Sequence, residues 1–392
     1  MIPVLVLDRP VSLRILEQIK DYNGKFGILA HTYTSDNFKK KFAAFELTDF
    51  KIGDSGIYQK DSMCYDDLFE EYEKMKVKYG MIKDYYRDPK RTLESAYLAK
   101  KMYDKGNYSF ELMGVAQGNT VAEYVRSYDE QRVLFDRVAI GGLLDKVENH
   151  VRLVKVKSDI FLANVLHAVR LLHPNDHLFP LGVFNMKRIR MFEQENVWAS
   201  DYKGWIFRYN KDQSHKNNDR FEQTARNLID LLNFVEEKRE ITTANKPLRR
   251  RLLIISCSKK KADKDGKAID IYDGRSYHIL RKYLENNNDL DIKIISAKYG
   301  LIDGNDRISP YDYKMMKGDA LLYKRIYKVD IDELVSRYKD VKFCGGKLYG
   351  SIIDDNSSVI KVYGRIGDQL HQLKQWLYFT EPFAIGNTIN SH

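Results

Sequence analysis

Asp54-Ser55-Gly56 closes the short apolar run from Phe50, and the same form recurs along the chain: later runs end at Asp84, Gln117, Gly141-Gly142, Gly182 and Asp201. Carboxylates can act as acid, base or nucleophile, an amide can hold a polar ligand edge, and glycine lets a backbone approach closely. Taken singly, each residue is equally a turn or a helix cap. Their recurrence at the ends of apolar runs is what points to a site.

The runs that would carry these residues are Val4–Asp8, Phe26–His31, Phe50–Gly56, Tyr79–Asp84, Phe110–Gly118, Arg137–Gly142, His177–Val183 and Val197–Asp201. Segments of helical periodicity lie between them. Arg91 to Tyr103 places Leu93, Ala96, Tyr97 and Ala99 on one side, and Val121 to Phe135 is a second such segment. Asp88-Pro89-Lys90, with Thr92 one turn on, reads as a helix start. Eight strands alternating with helices predict a (β/α)8 TIM barrel, with an open doubly wound sheet as the competing fold. A barrel gathers the C-terminal ends of its strands at one mouth, so the polar run ends would meet there.

At 392 residues the chain predicts two domains. Asn217 to Arg239 carries Phe221, Ala225, Leu228, Leu231, Leu232 and Val235 at three- and four-residue steps, an amphipathic helix that could close the barrel. Ile241 to Pro247 reads as a linker, giving a barrel over 1–245 and a second domain over 249–392. There Leu252–Cys257, Ile292–Lys298, Val341–Gly346 and Ser358–Tyr363 read as strands. Ser276–Leu284, Ile331–Lys339 and Ile366–Leu377 read as helices. The expectation is a small Rossmann-like α/β sandwich with a mostly parallel sheet and a ligand at the strand exits.

Composition narrows the classes. No apolar run approaches a membrane span and the N-terminus lacks a signal peptide, so a soluble, cytoplasmic protein is expected, with no membrane partner. Three widely spaced cysteines (Cys64, Cys257 and Cys344) form neither a disulfide framework nor a metal pair. A net charge of +10 suits a polyanion, and some of the 27 tyrosines could stack on bases.

Asp54-Ser-Gly-Ile-Tyr-Gln59 resembles the Asp-Ser-Gly-Gly-Phe-Gln motif of the tRNA-guanine transglycosylases. Gly114-Val-Ala-Gln-Gly118 and Ala139-Ile-Gly-Gly-Leu143 are similar to two further family motifs, and Leu181-Gly-Val-Phe-Asn185 to the stretch before the nucleophile. Ala199-Ser-Asp-Tyr202 falls where the family carries that nucleophile, and order and spacing agree over about residues 1–210. The resemblance implies a (β/α)8 barrel that exchanges guanine for a 7-deazaguanine in an intact nucleic acid, a pentosyltransferase needing no cofactor. Asp201 would be the nucleophile, beneath a sugar carbon that develops oxocarbenium character. Asp54 would relay the proton. Asp84, Gln117, Gly141, Gly142 and Ser55 would bind the base, with Gln117 and the Gly142 N–H on its carbonyl oxygen.

Two departures bear on the substrate. Ile57-Tyr58 stands in place of Gly-Phe, and the three-cysteine, one-histidine zinc site of the tRNA enzymes has no counterpart, since no cysteine lies between Cys64 and Cys257 and His215 alone cannot hold zinc. The expectation is therefore a DNA-directed relative, of the DpdA type that inserts 7-deazaguanines into phage or bacterial DNA, with tRNA as the alternative polymer. A barrel that binds nucleic acid without turnover is the rival from another class. Flipping a base out of duplex is costly, which leaves room for a helicase-type accessory protein that no residue here demonstrates. In the second domain, Ile255-Ser-Cys-Ser-Lys-Lys-Lys261 and Ser296-Ala-Lys-Tyr-Gly-Leu301 resemble a small domain distantly similar to the archaeosine synthase core. Lys259, Lys260, Lys261, Arg275 and Lys298 are its candidate contacts to nucleic acid or ligand, with Cys257 expected to pack rather than react.

Overall fold

The computed structural model describes residues 1–7, 10–143, 145–146, 153–155, 159–206, 219–236, 251–354 and 358–379. The expected linker and His215 lie outside the described residues. The chain divides into two compact units, Met1–Ala244 and Asn245–His392.

In the first unit β1 (Ile2–Val6), β2 (Gly27–His31), β3 (Lys51–Asp54), β4 (Tyr79–Met81), β5 (Glu111–Ala116), β6 (Val138–Ile140), β7 (Phe179–Pro180) and β8 (Ala199–Tyr202) lie parallel. β8 pairs with β1, Asp201 standing opposite Val4. The Trp198 and Ala199 amides donate to the Leu178 carbonyl at 3.0 and 3.4 Å, and the Ser200 hydroxyl donates to the Pro180 carbonyl at 2.8 Å. These bonds bring β8 onto β7, so the sheet is a (β/α)8 barrel and not an open one. A helix follows each strand: α1 (Pro10–Leu16), α2 (Asp36–Ala43), α3 (Tyr65–Met75), α4 (Pro89–Tyr103), α5 (Val121–Arg132), α6 (Asp159–Leu172), α7 (Ile189–Gln194) and α8 (Asp219–Glu236). α8 buries Ala225, Leu228 and Leu232 and packs on α1 and β1.

Specific side chains hold helices to strands. The Tyr72 ring of α3 lies where a Cβ on Gly53 or Gly80 would stand, 2.4 and 2.5 Å away, so adjacent strands carry glycine to admit it. Its hydroxyl donates to the Met81 carbonyl at 2.6 Å. Buried Lys51 donates to the Phe42 and Ala43 carbonyls at the end of α2, satisfying groups a helix C-terminus leaves open. At the N-terminal ends of the strands, the Arg137 guanidinium lies 5.3 Å from the Tyr79 ring and 5.1 Å from Trp198, and pairs with Glu111 at 3.0 Å. This layer floors the barrel. The buried face of α4 is made of Thr92, Ser95, Ala96 and Ala99. Tyr97, expected on that face, is instead 57% exposed. Small residues let α4 lie close to its neighbours, and a tyrosine has no room there.

The second unit has strands β9 (Arg251–Ser256), β10 (Leu290–Ser296), β11 (Gly300–Asp303), β12 (Asp340–Cys344) and β13 (Ile360–Lys361), ordered β11-β10-β9-β12-β13. All run parallel except β11, an antiparallel partner of β10 that the sequence pattern did not reveal. Gly300 at φ +79° makes that return. α9 (Arg275–Leu284) and α11 (Ile366–Phe379) fall close to their expected places. α10 runs Lys317–Ser336, where only 331–339 was expected. Its buried face of Ala320, Tyr323, Ile326, Tyr327, Ile331 and Val335 begins a full three turns earlier, started by Asp319, whose carboxylate accepts from the Met316 amide at 2.8 Å.

Candidate active site

Asp54 ends β3, Asp201 lies in β8, and Asp84, Gln117 and Gly141 follow β4, β5 and β6. Parallel strands in a closed barrel send all of these ends to one mouth. Gln117, fully buried, donates from Nε2 to Asp84 Oδ2 at 2.6 Å. A Cβ at Gly141 would lie 2.6 Å from Gln117 Nε2 and 3.1 Å from Asp84 Oδ2, and one at Gly142 would lie 2.0 Å from Gln117 Oε1. Gly142 also has φ +67°, so both space and backbone require glycine there. The candidate base-binding residues thus touch one another. Ser55 lies at the same exit, 2% exposed. Its carbonyl accepts from the Thr32 hydroxyl, and its Oγ has no hydrogen-bond partner among the described residues.

The carboxylates are poised by burial and by one another. Burial pushes Asp84 up to about 6, and the Asp54 charge adds to the rise while Tyr58 and Gln117 oppose it. Burial likewise pushes Asp201 up to about 6, opposed by the Gly182 amide, which donates to Asp201 Oδ1, and reinforced by Asp54. Asp54 itself is raised by burial, with the Gly56 N–H at 2.8 Å, His31 and Lys203 working the other way. Asp54 is thus in electrostatic contact with both other carboxylates.

Two further residues complete the site: Tyr58, which the sequence marked only as a departure from the family motif, and Arg87, which it did not single out. Tyr58 donates its hydroxyl to Asp84 Oδ2 at 3.0 Å. Arg87 has a left-handed backbone at φ +53°. Its N–H donates to Gln117 Oε1 at 3.0 Å, its Nε to the Gly142 carbonyl at 3.4 Å, and its own carbonyl accepts from Asn119. The start of α4 shapes this loop: the Asp88 carboxylate caps the helix by accepting from the Arg91 amide, and Thr92 Oγ1 accepts from the Tyr85 amide. An Asp-Pro helix start is legible in sequence; its reach back to Gln117 is not. Surface clefts of about 630 Å³, lined by Gln18, Asp21, Tyr22 and Lys25 among others, and about 420 Å³, between Cys64, Asp66, Lys83, Arg91 and Glu94, hold exposed carboxylates and no buried ones.

The five basic candidates of the second unit do not form one strip. Lys260 pairs with Asp273 at 2.5 Å, and Asp273 also meets His278 and Arg281. Lys259 and Arg275 are exposed. Lys261 and Lys298 instead turn to one ring, lying 4.2 and 5.9 Å from the centre of Tyr311. Cys257, expected to pack, is half-buried among polar groups: its sulfur lies 3.2 Å from the Tyr349 hydroxyl and 3.5 Å from the Ala297 amide.

Residues 252–375 match a family of unknown function (DUF6884). That family therefore covers most of the described second unit and none of the barrel. No curated protein matches the chain. Among solved structures, one titled "Native KDPGal structure" is 8% identical, covering 60% of this chain and 96% of that chain with a TM-score of 0.37. The YdjI aldolase from Escherichia coli K12 is 10% identical, covering 60% and 91% with a TM-score of 0.41. Likenesses so remote carry no argument about chemistry.

Proposed function

We propose that the barrel is a nucleic-acid guanine transglycosylase that exchanges guanine for a 7-deazaguanine in DNA through a covalent Asp201–sugar intermediate. The observation that carries the reading is the convergence of Asp54, Asp84, Asp201, Gln117 and the Gly141-Gly142 backbone at one mouth, with Asp84 and Gln117 already bonded. Asp84 and Gln117 make a polar edge for a purine. The buried Ser55 hydroxyl, unpartnered among the described residues, supplies a further hydrogen-bonding group.

In the first half-reaction Asp201 attacks the sugar carbon as the bond to guanine breaks, and Asp54 delivers a proton to the leaving base. In the second, the incoming deazaguanine gives its proton to Asp54 and displaces Asp201. The Gly182 N–H holds Asp201 in place throughout. DNA is favoured over tRNA by the missing zinc-binding cysteines, while the net charge of +10 suits either polyanion.

The test is release of radiolabelled guanine from duplex DNA, single-stranded DNA and bulk tRNA with a 7-deazaguanine supplied, for wild type and Asp201→Ala. Label lost from DNA alone, and only with Asp201 present, is the expected result. Loss from tRNA alone would keep the chemistry and change the polymer. No loss from any of the three, even with an ATP-driven strand-opening partner supplied, would leave a binding protein.

A further inference from the structure

His31 ends β2 as Asp54 ends β3, and the two stand opposite each other in the register of this parallel pair. The face they share follows from the residue before Asp54. A Cβ on Gly53 would meet the Tyr72 ring of α3, outside the barrel. Asp54, one residue on, therefore points inward, and its partner His31 points with it.

The two strand exits are also tied together. The Thr32 amide donates to the Asp54 carbonyl at 3.1 Å, and the Thr32 hydroxyl donates to the Ser55 carbonyl at 3.0 Å. Gly56, at φ +70°, gives its amide to Asp54 Oδ1 at 2.8 Å. A Cβ on that glycine would come 2.5 Å from the Tyr33 ring and 3.5 Å from His31 Cβ. The backbone turn that grips the carboxylate thus lies against His31, and the loops fix the pair as a unit. Burial raises Asp54, and after the Gly56 N–H it is His31, ahead of Lys203, that works against the rise. The proton relay given to Asp54 has so far left His31 without a part.

In the exchange reaction proposed for the barrel, on which this role rests, negative charge changes place. Before reaction Asp201 is the anion and Asp54 holds the proton. As an Asp201 oxygen bonds to the sugar carbon, the bond from that carbon to the base nitrogen breaks. The nitrogen keeps the bonding pair and takes the Asp54 proton, so the sugar ester is neutral and Asp54 is now the anion. The second half-reaction reverses both transfers. A cation beside Asp54 therefore favours the covalent intermediate over the complex that precedes it, which a cation placed evenly between the two carboxylates would not do. We infer that His31 is a positioning residue that holds the Asp54 carboxylate and stabilises its charge while the sugar is bound to Asp201.

The test is the fraction of full-length protein trapped covalently on a guanine-containing single-stranded DNA oligonucleotide and, in parallel, on bulk tRNA. It is read on a denaturing gel at a fixed concentration of free guanine, with no deazaguanine present. His31→Gln, checked for a wild-type thermal midpoint, lowers the ratio of adduct to free protein about tenfold, the smaller effect expected of an opposite charge on a neighbouring carboxylate. The same variant slows base exchange and leaves the KM for the free base within about a factor of two of wild type, a split that loss of the base pocket would not give. A second readout needs no turnover: the imidazole nitrogen NMR signals of His31, assigned by their loss in His31→Gln, move in Asp54→Asn. An adduct ratio and exchange rate unchanged in His31→Gln, or His31 signals that stay in place in Asp54→Asn, overturn the role of His31 and leave the exchange reaction standing. A wild type that neither forms adduct nor releases guanine with either polymer overturns the exchange reaction, and this role with it.

Discussion

Gln117 Nε2 lies 2.6 Å from Asp84 Oδ2 across two barrel strands, and the Arg87 amide fixes the other end of the same side chain by donating to Oε1. The amide of Gln117 therefore has one orientation. One of its N–H bonds is spent on Asp84, and the remaining one is what a base carbonyl can receive.

Gln117→Glu tests this arrangement. A second carboxylate 2.6 Å from Asp84 repels it, raises its pKa further, and loses the N–H donor. Base exchange is expected to fall by about 2- to 10-fold through base affinity, since one neutral hydrogen bond is worth about 0.5–1.5 kcal/mol. A KM for the free base unchanged from wild type would refute the assigned role.

Ser55→Ala separates stability from function. The buried hydroxyl, without a hydrogen-bond partner among the described residues, costs desolvation in the free protein, so its removal raises stability by about 1 kcal/mol, read as a higher thermal midpoint. The same change weakens base binding. A variant that is both less stable and unchanged in KM places the hydroxyl outside the site.

Asp84 and Asp201 set the pH response. Both have folded pKa values of about 6, above the usual 3.8. Between pH 4 and 6 the native state therefore binds more protons than the unfolded one, and stability falls as pH rises through this window. Asp201→Asn flattens that fall. Exchange activity runs the other way, rising as Asp201 ionises with a midpoint near 6; a flat rate from pH 5 to 8 would count against Asp201 as nucleophile.

Asp54→Asn keeps the shape of the site and removes its proton relay, so the exchange rate drops about 10²- to 10⁴-fold. It also withdraws the charge that helps raise both neighbours, and the acid limb of any residual activity moves to lower pH. A rate within a factor of two of wild type would exclude the relay.

Gly53→Ala tests the packing of α3 on β3, one residue before Asp54. Its Cβ would stand 2.4 Å from the Tyr72 ring, so overpacking costs about 1–3 kcal/mol and lowers the thermal midpoint. An undiminished midpoint would show that Tyr72 has room to move.

Much of the barrel was legible in the sequence because its signals are local. Short apolar runs, helical periodicity between them and the Asp88-Pro89 start placed most elements, and the polar run ends named the residues that the mouth brings together. α10 was read too short because its tyrosines dilute the apolar stripe, and β11 was missed because only its pairing with β10 distinguishes four residues from a loop. Contacts between distant positions had no local signal. Tyr58 meets Asp84, and Arg87 meets Gln117, across 26 and 30 positions, and no periodicity encodes which loop folds over which strand end. The raised carboxylates depend on the burial and mutual approach that closure creates. The gathering of Lys261, Tyr311, Tyr349 and Cys257 depends likewise on strand order, which places the exits of β10 and β12 on either side of β9. Residue types and their order along the chain are properties of the sequence, whereas partner, distance and charge state arise only once the sheets have formed.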